Sequence, residues 1–414
     1  LADEELGRGF DRGPLQGIPL GIKDIISVAD GPTTANSLVF DRTWGAGKDA
    51  PVVARLRAAG AVITGKVTTM EFALGPPDPT KPFPLPRNPW NTDRWSGGSS
   101  SGTGNGIAAG FFLGGLGTDT AGSIRIPAAF CGITGLMPTF GRVPKSGCVP
   151  LGYSLDHVGP MARTAADCAV MLQVLAGHHA SDPESTSRPV PDYSADLMTS
   201  LEGLRIGIDR VHHAPVGADP AVSGCMDRVV ALLESLGAVV VEVKLPLYEE
   251  MLAAVMIIMC GDALAYHLPD LRERWEDFFV ATRLTLIQGA LASSADYVQA
   301  QRVRRVALKS LASLYADVDL VIAPTASAGA TSYDDMSDGL LEIGQLLTYV
   351  HTTYWDAVGN PVLVVPMGFT ADRLPLSLQL AGRHFEEGRL LAVGRAFQQA
   401  TDWHRQVPPM SVAH

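Results

Sequence analysis

Hydrophobic positions along this chain alternate between short strand-like runs and longer helical spacings. Leu20–Ile26 is an apolar run that carries two charges, Lys23 and Asp24, and it predicts a short strand. Asp49–Ala59 predicts a helix: Asp49 can cap it, Pro51 suits its first turn, and Val52, Val53 and Leu56 share a face. Gly60 ends that helix, and Ala61–Gly65 predicts a strand. The pattern returns at Asp219–Val243. There Pro220 opens a helix capped by Asp219, and Val222, Met226, Val229, Leu233 and Leu236 line one face. Gly237 stops it before the β-branched run Ala238–Val243. Leu204–Ile208, Val318–Ala323, Asn360–Val365 and Leu376–Ala381 predict further strands. Asp296–Tyr315 predicts a long helix whose Arg302, Arg304, Arg305 and Lys309 read as a solvated face. Helix–glycine–strand alternation predicts an α/β fold. Ser181–Ser200, rich in Ser, Asp and Pro, reads as a surface crossover, because the same alternation resumes after it.

Composition narrows the function classes. With 414 residues, 46% of them hydrophobic and 18% charged, the chain can bury a large core, which excludes wholesale disorder. A net charge of −11 argues against a general nucleic-acid binder. The five cysteines are widely spaced and form no C-x-x-C, which predicts buried thiols in a reducing cytoplasm and no structural metal. The longest apolar candidates, Met251–Gly261 and Ala357–Ala371, fall short of the roughly 20 residues of a membrane span or carry prolines, so no membrane association is expected. The chain starts at Leu1 in polar sequence, with no signal-peptide pattern.

Candidate chemistry concentrates in two small-residue clusters. Ser96–Gly104 lies in the uncharged stretch Trp95–Thr118. It reads as a flexible linker, a phosphate cradle, a G-x-S-x-G elbow, or part of a catalytic loop. The apolar run Ile107–Leu116 disfavours the linker, and the missing Gly-Lys-Ser/Thr disfavours the cradle. The elbow needs a preceding strand, and Asn91–Ser96 does not read as one. The second cluster, Gly117–Ala128, reads either as a tight turn or as a nest of N–H groups suited to an oxyanion, with Ser123 as nucleophile at its end. A serine needs a base. His157, His178, His179, His212, His213 and His384 have no partner acid by spacing, and each alone reads as structural or surface. Lys23 stands apart: it is either a surface charge paired with Asp24 or a buried amine deprotonated by desolvation.

Taken together, Gly21-Ile22-Lys23-Asp24, the loop Gly97-Gly98-Ser99-Ser100-Ser101-Gly102 and the segment Asp119–Gly132 resemble the amidase signature family. Further matches are Gly135-Leu136-Met137-Pro138-Thr139 and Ser154-Leu155-Asp156-His157-Val158-Gly159-Pro160. The likeness is strong over residues 15–175 and looser over 200–245 and 318–410. It implies a single α/β domain over residues 1–414, with a twisted mixed sheet of about ten strands covered by helices on both faces. It also implies more N-terminal helix than precedes Lys23 here. The implied catalytic set is Ser123 as nucleophile, Ser99 after a cis peptide as proton relay, and neutral Lys23 as base, with backbone N–H groups of Thr120, Ala121, Gly122 and Ser123 as oxyanion hole. No metal and no organic cofactor is implied. Arg125 reads better as a partner of Asp119 than as a ligand for a substrate carboxylate.

Substrate choice is expected to lie in variable loops. Leu74–Asn88 is proline-rich, and Met70, Leu74, Tyr153 and Thr325 (in the loop Pro324–Thr331) are the expected substrate-binding residues. Their apolar character points to an aryl or alkyl amide or an aryl carbamate. The alternative is the glutaminase subunit of a tRNA-dependent amidotransferase, which the chain's shorter length and apolar loop disfavour. The expected partner is a small-molecule amide or carbamate, with no nucleic acid and at most a homodimer.

Overall fold

The computed structural model describes residues 2–194, 200–213, 218–337 and 349–409. Among them the strands are, in chain order, β1 (Pro19–Lys23), β2 (Val62–Val67), β3 (Arg87–Asn88), β4 (Asn91–Trp95), β5 (Gly114–Asp119) and β6 (Thr134–Met137). They continue with β7 (His157–Ala162), β8 (Arg205–Ile208), β9 (Val239–Glu242), β10 (Leu320–Pro324), β11 (Val362–Phe369) and β12 (Pro375–Gly382). Ten of them form one sheet in the order β2-β1-β5-β7-β6-β11-β12-β10-β8-β9. The sheet is mixed. β1 runs parallel to β2 and β5, and β8 runs parallel to β9 and β10. The strands between are antiparallel. Every residue of β11 and β12 except Phe369 is buried, so helices cover both faces there.

The parallel β1–β5 pair is the part that builds the site. Gly115 lets these strands approach: a Cβ on it would lie 2.5 Å from the Gly21 carbonyl oxygen. The helix Ser101–Ala109 packs on β1 and β5, and the helix Arg125–Cys131 packs on that helix and on β12.

Several elements differ from the sequence expectation in instructive ways. The helix Pro51–Ala58 has Ala50, not Asp49, at its N-cap. The Asp49 carboxylate instead accepts from the Ala29 N–H at 2.7 Å and pairs with Arg57 at 2.8 Å. Asn91–Trp95 is a strand after all. It pairs with the two-residue β3 and bridges Ser332 through Arg94, and its first three residues are exposed, so it lacks the buried alternation that marks a core strand. The helix read as Asp296–Tyr315 spans Ser294–Asp317, and Ser293 and Asp296 cap it reciprocally. Arg302, Arg305 and Lys309 are exposed, whereas Arg304 is partly buried and donates to the Ala357 and Ser154 carbonyls. The helix Tyr248–Glu273 is long and apolar enough to cross a membrane by length and composition, whereas the apolar run Met251–Gly261 inside it reads as too short. Met251, Val255, Ile258 and Met259 are buried, and it packs on the helices Val280–Leu291 and Ser294–Asp317. Residues 195–199 of the expected crossover lie outside the described residues.

Candidate active site

Lys23 ends β1 and Asp119 ends β5, and the two strands run side by side in the same direction. Their following loops therefore leave from one edge of the sheet, where α/β folds gather functional groups. Lys23 is fully buried, at 0% exposure. Its Nζ lies 2.6 Å from Ser99 Oγ and 2.7 Å from Thr118 Oγ1. Burial pushes the amine down to about 7, against the opposing pull of the Asp119 and Asp156 carboxyls. The alternative pairing with Asp24 does not occur, because Asp24 pairs with Lys66 at 2.9 Å.

Ser99 sits between β4 and the helix Ser101–Ala109, and the Gly98–Ser99 peptide is cis. Met70 and Trp95 press on Gly98: a Cβ there would lie 2.5 Å from Met70 Cε and 2.9 Å from Trp95 Cζ2. The Ser99 carbonyl accepts from Thr69 Oγ1 at 3.0 Å. The two serine segments are tied directly, since the Ser100 N–H donates to the Ser123 carbonyl at 3.2 Å. Accessibility grades along the set. Ser123 is half-buried, Ser99 is 2% exposed and Lys23 is sealed.

The turn after β5 carries the expected oxyanion donors. Gly122 has φ +128, a conformation favouring glycine. Its N–H donates to Asp119 Oδ1 at 2.5 Å, so it differs from the expectation of a free donor. The N–H groups of Thr120, Ala121 and Ser123 have no acceptor among the described residues. Asp119 Oδ2 also accepts from the Ile124 N–H at 3.1 Å, so one carboxylate shapes the whole turn.

Arg125 pairs with Asp119, as the sequence reading preferred, with Nε 2.9 Å from Oδ2. It also pairs with Asp356 and donates to the Thr352 carbonyl at 2.7 Å. Burial alone would raise the Asp119 carboxyl, but the Arg125 guanidinium outweighs it and holds the group at about 2. The His157 ring is buried beside this network, and burial pushes it down to about 3, so it is neutral near pH 7. None of the six histidines named above hydrogen-bonds to Lys23, Ser99 or Ser123.

The expected substrate-binding residues separate. Met70 packs on Gly98 beside the serine loop. Leu74 is fully buried in the core. Tyr153 is 49% exposed and lines a cavity of about 260 Å³ that reaches Thr118 and Asp156. Thr325 is buried, and its hydroxyl has no partner among the described residues. Sequence reasoning missed Thr118, Thr352 and Asp356. Asp356 carried a readable signal: it is the lone charge in the apolar run Tyr354–Val358, the same anomaly that singled out Lys23.

The family model described as Amidase matches residues 2–391. The chain belongs to the amidase signature family. It is an enzyme that acts on amides. It is similar to a glutamyl-tRNA(Gln) amidotransferase subunit of Methylococcus capsulatus, at 39% identity over 431 aligned residues, 98% of this chain and 88% of the relative. The glutamyl-tRNA(Gln) amidotransferase subunit of the same type from Thermotoga maritima superposes with a TM-score of 0.83 at 29% identity, over 94% of this chain and 85% of that one. The peptide amidase of Stenotrophomonas maltophilia gives 0.84 at 30% identity, over 99% and 87%.

Proposed function

We propose that this amidase cleaves its substrate through an acyl-enzyme on Ser123. The observation that carries the reading is the sealed Lys23 amine against Ser99 Oγ, with the half-buried Ser123 tied to the same loop. As Ser123 Oγ bonds to the acyl carbon, its proton moves to Ser99, and the Ser99 proton moves to Lys23 Nζ. The N–H groups of Thr120, Ala121 and Ser123 receive the oxyanion. The relay then runs backward: Lys23 returns a proton to Ser99, Ser99 protonates the nitrogen, and the C–N bond breaks. Water adds to the acyl-enzyme through the same groups and releases the acid.

For the substrate, the reading best supported is glutamine, with the chain as the amide-hydrolysing subunit of a tRNA-dependent amidotransferase. Support comes from relatives of that name at 39% and 41% identity. This reverses the preference drawn from sequence. The shortness that argued against this reading is modest, because the chain spans 86–88% of those relatives. A second reading, a stand-alone hydrolase of apolar amides or carbamates, is favoured by one feature. A cavity of about 410 Å³ lined by Trp95, Met336, Tyr349 and Leu374 shares Trp95 with the serine loop.

The test is product analysis. The glutaminase reading expects ammonia from glutamine, rising when the other subunits of a bacterial amidotransferase are added, and little anilide cleavage. Fast Ser123-dependent hydrolysis of anilides or aryl carbamates, with glutamine untouched, would replace it with the second reading.

A further inference from the structure

The nucleophile turn is clasped from outside by the helix Thr353–Val358 and the residue before it. Thr352 Oγ1 donates to the Ala121 carbonyl at 2.7 Å, and the Thr352 carbonyl accepts from Arg125 Nη1 at 2.7 Å. Four residues on, Asp356 reaches the same guanidinium. All five N–H bonds of Arg125 are committed. Nε goes to Asp119 Oδ2, Nη1 to Thr352 O and Gln379 Oε1, and Nη2 to Asp119 Oδ1 and Asp356 Oδ2.

Charge does not balance if both carboxyls are ionised. Arg125, Asp119 and Asp356 are each 0% exposed, and the network holds one cation for two acids. The two acids meet at one nitrogen, since Asp119 Oδ1 and Asp356 Oδ2 both accept from Arg125 Nη2, and two ionised carboxylates on one buried cation repel each other. Their acceptor roles differ. Asp119 takes five N–H bonds, three from the backbone of Gly122, Ile124 and Arg125 and two from the guanidinium. Asp356 takes one, and its Oδ1 has no hydrogen bond among the described residues. The other ionisable neighbour is the His157 ring, whose Nδ1 is 4.0 Å from that Oδ1 and which is neutral. Lys145 and Asp156 line the cavity that His157 also borders, and neither is hydrogen-bonded to Asp356.

We infer that Asp356 is a positioning residue that carries a proton, and so holds Arg125 and the Ser123 turn as a neutral buried unit. The network then has one cation and one anion, with the proton on the acid that takes a single N–H bond. The kinetic part of this inference rests on Ser123 being the nucleophile.

The test compares Asp356→Asn with Asp356→Ala in the full chain. Asn copies the shape and neutrality of a protonated Asp, so it is expected to keep kcat/KM within about threefold. The Ala variant opens a void under Arg125 and lets the turn move. It is expected to lose roughly 10- to 100-fold in kcat with KM little changed, and to slow fluorophosphonate labelling of Ser123 in parallel. Infrared difference spectra give a readout independent of turnover: a protonated-carboxyl C=O band in wild type that is absent from Asp356→Asn. A folded Asp356→Asn that falls as far as Asp356→Ala, or a wild-type spectrum without that band, overturns the inference. Failure of Ser123 labelling in the wild type would instead sink the acyl-enzyme reading and leave the infrared result standing.

Discussion

Lys23 Nζ and Ser99 Oγ stand 2.6 Å apart although 76 residues separate them in the chain. The contact places a sealed amine against a nearly sealed hydroxyl. An amine in that position acts as a base only after it has lost its proton. Its pKa is lowered by burial to about 7, so the active fraction grows as pH rises through that value. We expect kcat/KM to climb with pH to a plateau, with a midpoint near 7. A profile flat from about pH 5 to about pH 9 would mean that Lys23 is not the titrating base.

The same burial costs stability. An unfolded lysine keeps its proton until about 10.4, so between roughly 7 and 10.4 the unfolded chain binds the extra proton. Stability from this group therefore rises with pH across that window, and the penalty is fully present below it. Replacing Lys23 by Met removes the penalty. Lys23→Met is expected to abolish turnover yet unfold at higher temperature than wild type. The gain is on the order of a few kcal/mol near neutral pH, shrinking as pH approaches 10. Thermal melts at several pH values check this, and a destabilised Lys23→Met at pH 7 counts against it.

Thr118 completes the environment of the amine. A neutral Nζ that accepts from Ser99 has N–H bonds left to donate, and Thr118 Oγ1 takes one at 2.7 Å. Thr118→Val keeps the shape and leaves that donor buried without a partner, at a cost of about 1–3 kcal/mol. The hydroxyl also favours the charged amine, so its loss lowers the Lys23 pKa further. We expect kcat/KM to fall by roughly tenfold or more and the pH midpoint to move toward acid. A midpoint moving toward alkaline pH would show that Thr118 does not stabilise the ammonium.

How much of this was readable in the chain depends on whether each signal is local. The strand carrying Lys23 and the helix Pro220–Ser235 were legible because the spacing of apolar positions reports burial directly. The ten-stranded sheet and the contact of Lys23 with Ser99 were not legible from periodicity. They join residues far apart in the chain, 76 positions for Lys23 and Ser99, and only the family resemblance bridged that distance. The free state of the Gly122 N–H was misjudged because glycine-rich sequence shows backbone freedom but not which carboxylate will use it. Leu74 was expected to line the substrate site and is core instead, since an apolar residue in a proline-rich loop reads the same in either place.

Gly122 is the position where the turn leaves no latitude. Its φ of +128 is strained for any L side chain, and a Cβ would lie 2.2 Å from Thr352 Oγ1 and 2.8 Å from Ile126 Cδ1. Thr352 cannot simply rotate away, because its hydroxyl holds the Ala121 carbonyl at 2.7 Å. The Gly122 N–H is also one of the bonds by which Asp119 shapes the turn. Gly122→Ala therefore has to break the Thr352 bond, the Asp119 bond or the backbone conformation. Each route costs about 1–3 kcal/mol, and each moves the Thr120 and Ala121 N–H groups. We expect a drop of several degrees in unfolding temperature together with a loss of at least about a hundredfold in kcat, since donor placement within tenths of an ångström sets oxyanion stabilisation. The double variant Gly122→Ala, Thr352→Ser removes the methyl but keeps the hydroxyl that meets the new Cβ, and should not recover activity. Gly122→Ala, Thr352→Gly removes both the Thr352 Oγ1 contact at 2.2 Å and the Thr352 Cβ contact at 2.8 Å, and should recover stability more than rate. Full activity in Gly122→Ala alone would show that the turn is looser than its contacts with Thr352 imply.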